Sequence, residues 1–252
     1  MQVLTKITSS YKEIRLHQTP KDNLIYLFFT RYISASISAL IVKTKITPNQ
    51  ISYSMFFFGL IGAYFFSLGA YSGYFLGGLF YIFLNIADTV DGEVARYTKR
   101  VSNFGDYLDR LVHYITNSAM IIGLGIGVFI NTNENLFLYI FTIFLLLYLV
   151  DDLSRDLLIS CGIVQNKNRK SAKEKLSITR KNNLIKFAIL TASTSGFWHL
   201  IVIISLIDYY AFSLGLLSSP YFVIYLYLGY FLFINLVKTI LRLRLIFLLG
   251  KK

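Results

Sequence analysis

Cysteine is almost absent: Cys161 is the single one in 252 residues. One thiol forms no intramolecular disulfide and no thiolate metal cluster, so the expected state of Cys161 is buried and inert. Charge is also scarce, at 15% of residues, and acids are the scarcer sign, 13 against 25 Lys and Arg, for a net charge of +12. Hydrophobic residues make up 55% and mean hydropathy is +0.58, which excludes an ordinary soluble domain, whose surface needs more polar cover. The first twenty residues lack an uninterrupted apolar core ending at a small-residue cleavage site. Lys6, Lys12 and Arg15 stand among polar residues there, so no cleaved signal peptide is expected, and membrane helices themselves direct insertion.

What the chain has in quantity is long apolar runs. They predict an all-α integral membrane protein with six transmembrane helices, near Ile51–Leu68, Gly73–Ala87, Tyr114–Ile130, Leu136–Val150, Leu184–Leu206 and Tyr221–Leu241, since a span needs roughly 20 apolar residues. One domain is expected over 1–252, as an N-terminal segment 1–49 and a six-helix bundle 50–252. The 22 Phe and 19 Tyr suit interfacial belts and helix packing.

Orientation follows from the basic residues. Lys and Arg fall as 7 in residues 1–50, 4 between the second and third runs, 9 from Arg155 through Lys186 and 5 from Lys238 onward. The connections between runs one and two, around Asn131–Asn135 and around Asp208–Pro220 carry none. Both termini and the loop after the second run are therefore expected on the cytoplasmic side. The same bias accounts for the basic net charge through an anionic inner leaflet, so no nucleic-acid partner is expected. Leu24–Val42 is long enough to span but contains Arg31 and three Ser. A span there would place Lys6, Lys12, Arg15 and Lys21 outside, so an in-plane cytoplasmic interfacial helix is expected. Pro48 breaks the chain after it.

The chemistry concentrates between Asp88 and His113. If the second helix continues through Arg96, then Asp88, Asp91, Gly92 and Ala95 recur at i, i+3, i+4 and i+7 and share one face. On the third helix Gly105, Asp109 and His113 step by four, with Asp106 close to that face. A polar turn near Lys99–Asn103 would bring the two faces together. Carboxylates crowded in a low-dielectric setting repel unless a cation neutralises them. Hard oxygen ligands suit Mg²⁺ or Mn²⁺, which leave positions for substrate phosphate oxygens. Gly92 and Ala95 then read as clearance for a nucleotide, and Arg96 as a bidentate phosphate clamp.

The stretch resembles the signature of the CDP-alcohol phosphotransferase family, D-x2-D-G-x2-A-R-x8-G-x3-D-x3-D, matched by Asp88, Asp91, Gly92, Ala95, Arg96, Gly105 and Asp109. Ile46-Thr47-Pro48-Asn49-Gln50-Ile51 is similar to a recurrent family element, and beyond about Ile130 only the architecture is comparable. The family's last Asp falls on His113, a departure that removes one negative charge. Imidazole, with an ordinary pKa of about 6.5, serves as a proton acceptor or a metal ligand, and Asp106 is a candidate to compensate.

The resemblance implies a transferase of phospholipid biosynthesis. An acceptor hydroxyl attacks the alcohol-side phosphate of a CDP-linked donor, CMP leaves, and two metal ions assist. It further implies Asp88, Asp91, Asp109, His113 and Asp106 as metal ligands, with Asp109 or His113 as base. Asn49, Gly92, Ala95, Arg96 and Gly105 fall on the substrate side. The donor is either CDP-diacylglycerol, with a polar alcohol as acceptor, or a CDP-linked headgroup, with a lipid alcohol as acceptor. The basic cytoplasmic face, which suits anionic acceptors, leans toward the first. A catalytically silent CDP-binding relative is the alternative that His113 raises.

Blander readings apply elsewhere. Asp151 and Arg155 pair at i, i+4 on the fourth helix, or Arg155 grips an acceptor phosphate as cations do in some family members. The basic run Lys167–Lys181 reads as a solvated, lipid-facing loop. His199 reads as an interhelical hydrogen-bonder and His17 as solvated. Gly73 and Gly77 form a G-x-x-x-G step for close packing, and a homodimer is compatible with such surfaces. An ion pathway built on intramembrane acids would place them near mid-membrane, whereas these cluster at one edge beside Gly92, Ala95 and Arg96.

Overall fold

Backbone polar groups in lipid must be satisfied within the segment, which makes helices the natural solution for apolar runs. The computed structural model describes residues 2–16, 30–160 and 194–249, and among these it is all-helical. In chain order the helices are α1 (Gln2–Leu16), α2 (Arg31–Ile41), α3 (Pro48–Ser67), α4 (Tyr71–Tyr97), α5 (Asn103–Thr132), α6 (Asn135–Ser160), α7 (Thr194–Ser213) and α8 (Phe222–Leu249). Cys161, His17, the run Lys167–Lys181, the beginning of the Leu24–Val42 segment and the first part of the expected fifth span lie outside the described residues.

Five of these helices are long and apolar enough to cross a membrane: α4, α5, Asn135–Ser154 of α6, Gly196–Ser213 of α7 and Phe222–Leu241 of α8. The expected first span, α3, has 20 residues but is not among the five, because Pro48, Asn49, Gln50, Ser52 and Ser54 open it with polar turns. Helices α4 and α5 extend well past their apolar runs, through the acidic stretch, as continuous helix.

The chain divides into two compact units, residues 1–127 and 128–252. In the first, α3 begins where the sequence breaks. Thr47 is extended at φ −93° and ψ 154°, Pro48 takes the first helical turn, and the Thr47 backbone N–H donates to Gln50 Oε1 at 2.9 Å, half of a capping box. Gly69, at φ 68°, turns the chain into α4, which packs along α3. Small residues set that distance. A Cβ on Gly77 would come within 2.8 Å of the Phe66 ring, one on Gly73 within 2.5 Å of the Phe65 carbonyl oxygen, and one on Gly123 of α5 would collide with the Ala63 carbonyl oxygen. The G-x-x-x-G step thus serves packing within the chain. Polar side chains inside the helices turn back on their own backbone: Thr89 donates to Asn85 O at 2.9 Å and Thr116 to Val112 O at 2.8 Å, which gives each hydroxyl an acceptor within its own helix.

Helix α1, too polar to announce itself as a hydrophobic run, buries Ile14 with Ala35 and Ala39 of α2. Its Ser10 Oγ lies 3.2 Å from the Tyr97 hydroxyl at the end of α4. Outward, α3 shows Tyr53, Phe57, Leu60, Ile61 and Tyr64 as exposed apolar residues, a stripe at helical spacing.

In the second unit Phe197 of α7 stacks on Phe231 of α8 with ring centroids 3.7 Å apart, and Phe144 of α6 meets the same ring edge-on at 5.6 Å. Asp208, fully buried near the end of α7, accepts the Ile224 backbone N–H at 2.9 Å. It thereby caps the first turn of α8. Helix α6 leaves Leu136, Tyr139, Ile143, Leu146, Val150, Leu153 and Leu157 exposed, a single apolar stripe along its length.

Candidate active site

The site is built from the motif helices of the first unit. Helix α4 ends after Tyr97, where Lys99 takes the left-handed conformation at φ 55° and the Arg100 N–H returns to Ala95 O at 2.9 Å. Ser102 then starts α5, accepting the Gly105 N–H on its hydroxyl at 3.0 Å, as an N-cap does. This short connection folds α5 back beside α4, so the acidic faces anticipated from spacing share one cavity of about 240 Å³. Asp88, Asp91, Gly92, Ala95 and Arg96 line it from α4, Gly105, Asp106 and Asp109 from α5, and Pro48 and Asn49 from α3.

His113 is not among the lining residues, yet it belongs to the same acidic cluster. Its Nε2 lies 3.6 Å from Asp88 Oδ1 and 3.5 Å from Asp109 Oδ1. One ligand atom from each of Asp88, Asp109 and His113 lies within 4.8 Å of the others. A hard divalent ion bound at about 2.1 Å holds adjacent ligand atoms roughly 3 Å apart, so these three need only small side-chain movement to enclose one. The donor set, two carboxylates and one imidazole, is also of the right chemistry for Mg²⁺ or Mn²⁺. Asp91 and Asp106 line the cavity outside this triplet.

Asp91 has a partner that spacing did not reveal: the Ser52 hydroxyl of α3 donates to its Oδ2, fixing the carboxylate against the first turns of that helix. Gly92 lines the cavity and also leaves room for a neighbour on its own helix, since a Cβ there would stand 3.1 Å from Arg96 Nη1. Gly105 lies beside Asn49, whose Oδ1 would be 3.7 Å from its Cβ, so the two positions face each other across the rim. Arg31 of α2 and Arg100 also line the cavity, and neither was anticipated there. The signal for Arg31 was present as a cation inside an otherwise apolar and serine-rich helix. Arg155 sits on α6 in the second unit, and its side chain lies outside the described residues.

A family model described as CDP-alcohol phosphatidyltransferase matches residues 45–234. The chain is 33% identical over 102 residues to the Bifunctional IPC transferase and DIPP synthase of Thermococcus kodakarensis, covering 40% of this chain and 22% of that protein. The protein of that name from Archaeoglobus fulgidus is 40% identical over 91 residues, 36% of this chain and 18% of the relative. The Archaetidylinositol phosphate synthase of Pyrococcus horikoshii is 30% identical over 88 residues, 35% of this chain and 45% of the relative. In each case the chain spans less than half of the relative's length.

Proposed function

Because the chain belongs to the CDP-alcohol phosphatidyltransferase family, we propose that it transfers a phosphoalcohol group, in the first instance phosphatidyl, from a CDP-linked donor to an alcohol acceptor and releases CMP. The observation that supports this most directly is the meeting of Asp88, Asp109 and His113 at the edge of a cavity that Arg96 also lines. In this reading Asp88, Asp109 and His113 hold one divalent cation, and Asp91 and Asp106 contribute to a second. When bound, such ions offset charge on the pyrophosphate and polarise it toward attack.

The chain's own residues do the rest. Arg96, whose guanidinium folds over Gly92, presents paired N–H donors to phosphate oxygens in the cavity. Asn49 and Gly105 border the nucleotide where α3 meets α5. Ser52 keeps the Asp91 carboxylate aimed by donating its proton to it. The hydroxyl proton of the acceptor passes to Asp109 or His113, at the carboxylate oxygen or ring nitrogen that the cation does not occupy. His113 thus occupies the position of the family's last Asp without leaving the acidic cluster, which favours a working site over a silent one.

The membrane arrangement belongs to the same reading. The outward stripe of α3 supports reading it as a sixth span beside the five apolar helices. The distribution of Lys and Arg puts both termini and the site on the cytoplasmic side, where a lipid and a water-soluble substrate meet. A relative named for an inositol phosphate lipid makes a phosphorylated polyol the first acceptor to test, and Arg155 on α6 a cation for its phosphate. A homodimer remains part of the proposal through the outward apolar faces.

The test is CMP release by purified protein with Mg²⁺ or Mn²⁺, given CDP-diacylglycerol plus inositol 1-phosphate in one reaction and a CDP-linked headgroup plus diacylglycerol in another. Metal-dependent CMP release in the first is expected. Release in the second alone reverses the assignment of donor and acceptor, and CMP binding with release in neither identifies a silent relative.

A further inference from the structure

Arg31 lies outside the acidic motif, yet it lines the cavity. Its position follows from a clasp between α2 and α4. Ser34 and Ser38, one turn apart and both wholly buried, donate to Glu93 Oε1 at 3.0 Å and Oε2 at 2.7 Å. Glu93 itself is 3% exposed. Withdrawing either hydroxyl from a buried carboxylate leaves lone pairs without solvent, so these two bonds resist both sliding and rotation of α2 on α4. Ala35 and Ala39, both fully buried, complete the contact face. The Ser34 hydroxyl also lies 3.3 Å from the Arg31 carbonyl oxygen, so the clasp reaches the backbone that carries the guanidinium.

We propose that Arg31 is a phosphate-binding residue of this cavity and that Glu93 is the positioning residue that holds it there through Ser34 and Ser38. This deepens the function proposed above and rests on it. A substrate carrying two or more phosphate charges enters a cavity lined by four Asp residues, Asp88, Asp91, Asp106 and Asp109. Cations must therefore meet the phosphate oxygens not held by a divalent ion, and a guanidinium does so with a planar pair of donors. Helix α2 supplies that cation from an element separate from the metal ligands, so nucleotide or acceptor affinity can be tuned without disturbing the acidic cluster. The phosphate is either that of the nucleotide or that of a phosphorylated acceptor, and two ligands tell them apart.

The experiment is calorimetric titration of the full chain in detergent with Mn²⁺, using CMP in one arm and inositol 1-phosphate in the other. Wild type is compared with Arg31→Gln, Arg31→Lys, Ser34→Ala/Ser38→Ala and the combination of the first and third. Arg31→Gln is expected to weaken one of the two ligands about tenfold, the loss of a hydrogen bond to a charged group, with partial recovery in Arg31→Lys. The serine variant should weaken the same ligand, and should add little once residue 31 is Gln. A merely structural clasp gives additive losses instead, which would overturn the positioning role of Glu93. Wild-type affinity of Arg31→Gln for both ligands overturns the role of Arg31. Failure of wild type to bind either ligand overturns the proposed function and this inference with it.

Discussion

At the scale of single residues, the acidic cluster makes its ligands separable by measurement. His113→Ala is expected to lower CMP release by about a hundredfold or more, the range of a lost proton acceptor, while His113→Asp retains part of it. Equal rates for wild type and His113→Ala would remove His113 from the mechanism. Asp88→Asn should raise the Mn²⁺ concentration needed for half-maximal CMP release, because a charged ligand is replaced by a neutral one. An unchanged Mn²⁺ dependence would place the ion elsewhere. The residues on the motif faces were legible because helical spacing puts Asp88 and Asp91 on one face of α4 and Asp109 and His113 on one face of α5, and the short polar turn between the helices folds those faces together. Ser52, Glu93, Ser34 and Ser38 were not, since each acts across elements 39 to 59 residues apart in sequence. Spacing within one helix says nothing about a partner on another. The contact of Gly92 with Arg96 was hidden for a related reason: its neighbour is the long side chain one turn away, which sequence spacing permits but does not orient.

At the scale of elements, the packing of α3, α4 and α5 depends on missing side chains. Gly123→Leu would drive a branched side chain into the Ala63 carbonyl of α3 and is expected to destabilise the first unit by about 1–3 kcal/mol, as overpacking does. A lowered unfolding midpoint in detergent reports it, and an unchanged midpoint would mean that α5 can move away from α3. Asp208→Ala removes the cap of α8 and should cost about 0.5–2 kcal/mol, read in the same way. The apolar runs located the apolar parts of α3 to α6 and α8, because hydrophobicity over twenty residues is a strong signal, whereas the fifth run, expected at Leu184–Leu206, overlaps α7 only in part and begins outside the described residues. Helix ends were less visible, and α4 and α5 run on through charged sequence because their polar ends line a cavity. Helix α1 was missed altogether: among the residues of α1 whose burial is described, the buried apolar anchor is Ile14, which carries no periodic pattern on its own.

At the scale of the whole molecule, the topology predicts opposite accessibility for two exposed turns. With Cys161 replaced by Ser, a cysteine placed at Asn133 is expected to react with a membrane-impermeant maleimide on intact cells, whereas one at Lys99 reacts only after permeabilisation. The reverse pattern would invert the site relative to the membrane. The expected orientation rests on Lys and Arg being confined to alternate connections in the sequence, while the pairing of α2 with α4 depends on contacts that no hydropathy profile records. The apolar stripe of α6 has a further consequence. From Leu136 to Leu157 it extends about 32 Å at 1.5 Å per residue, close to the hydrocarbon thickness of an average bilayer. In short-chain lipid that length must tilt or thicken its surroundings, which makes acyl-chain length a mechanical variable for this protein.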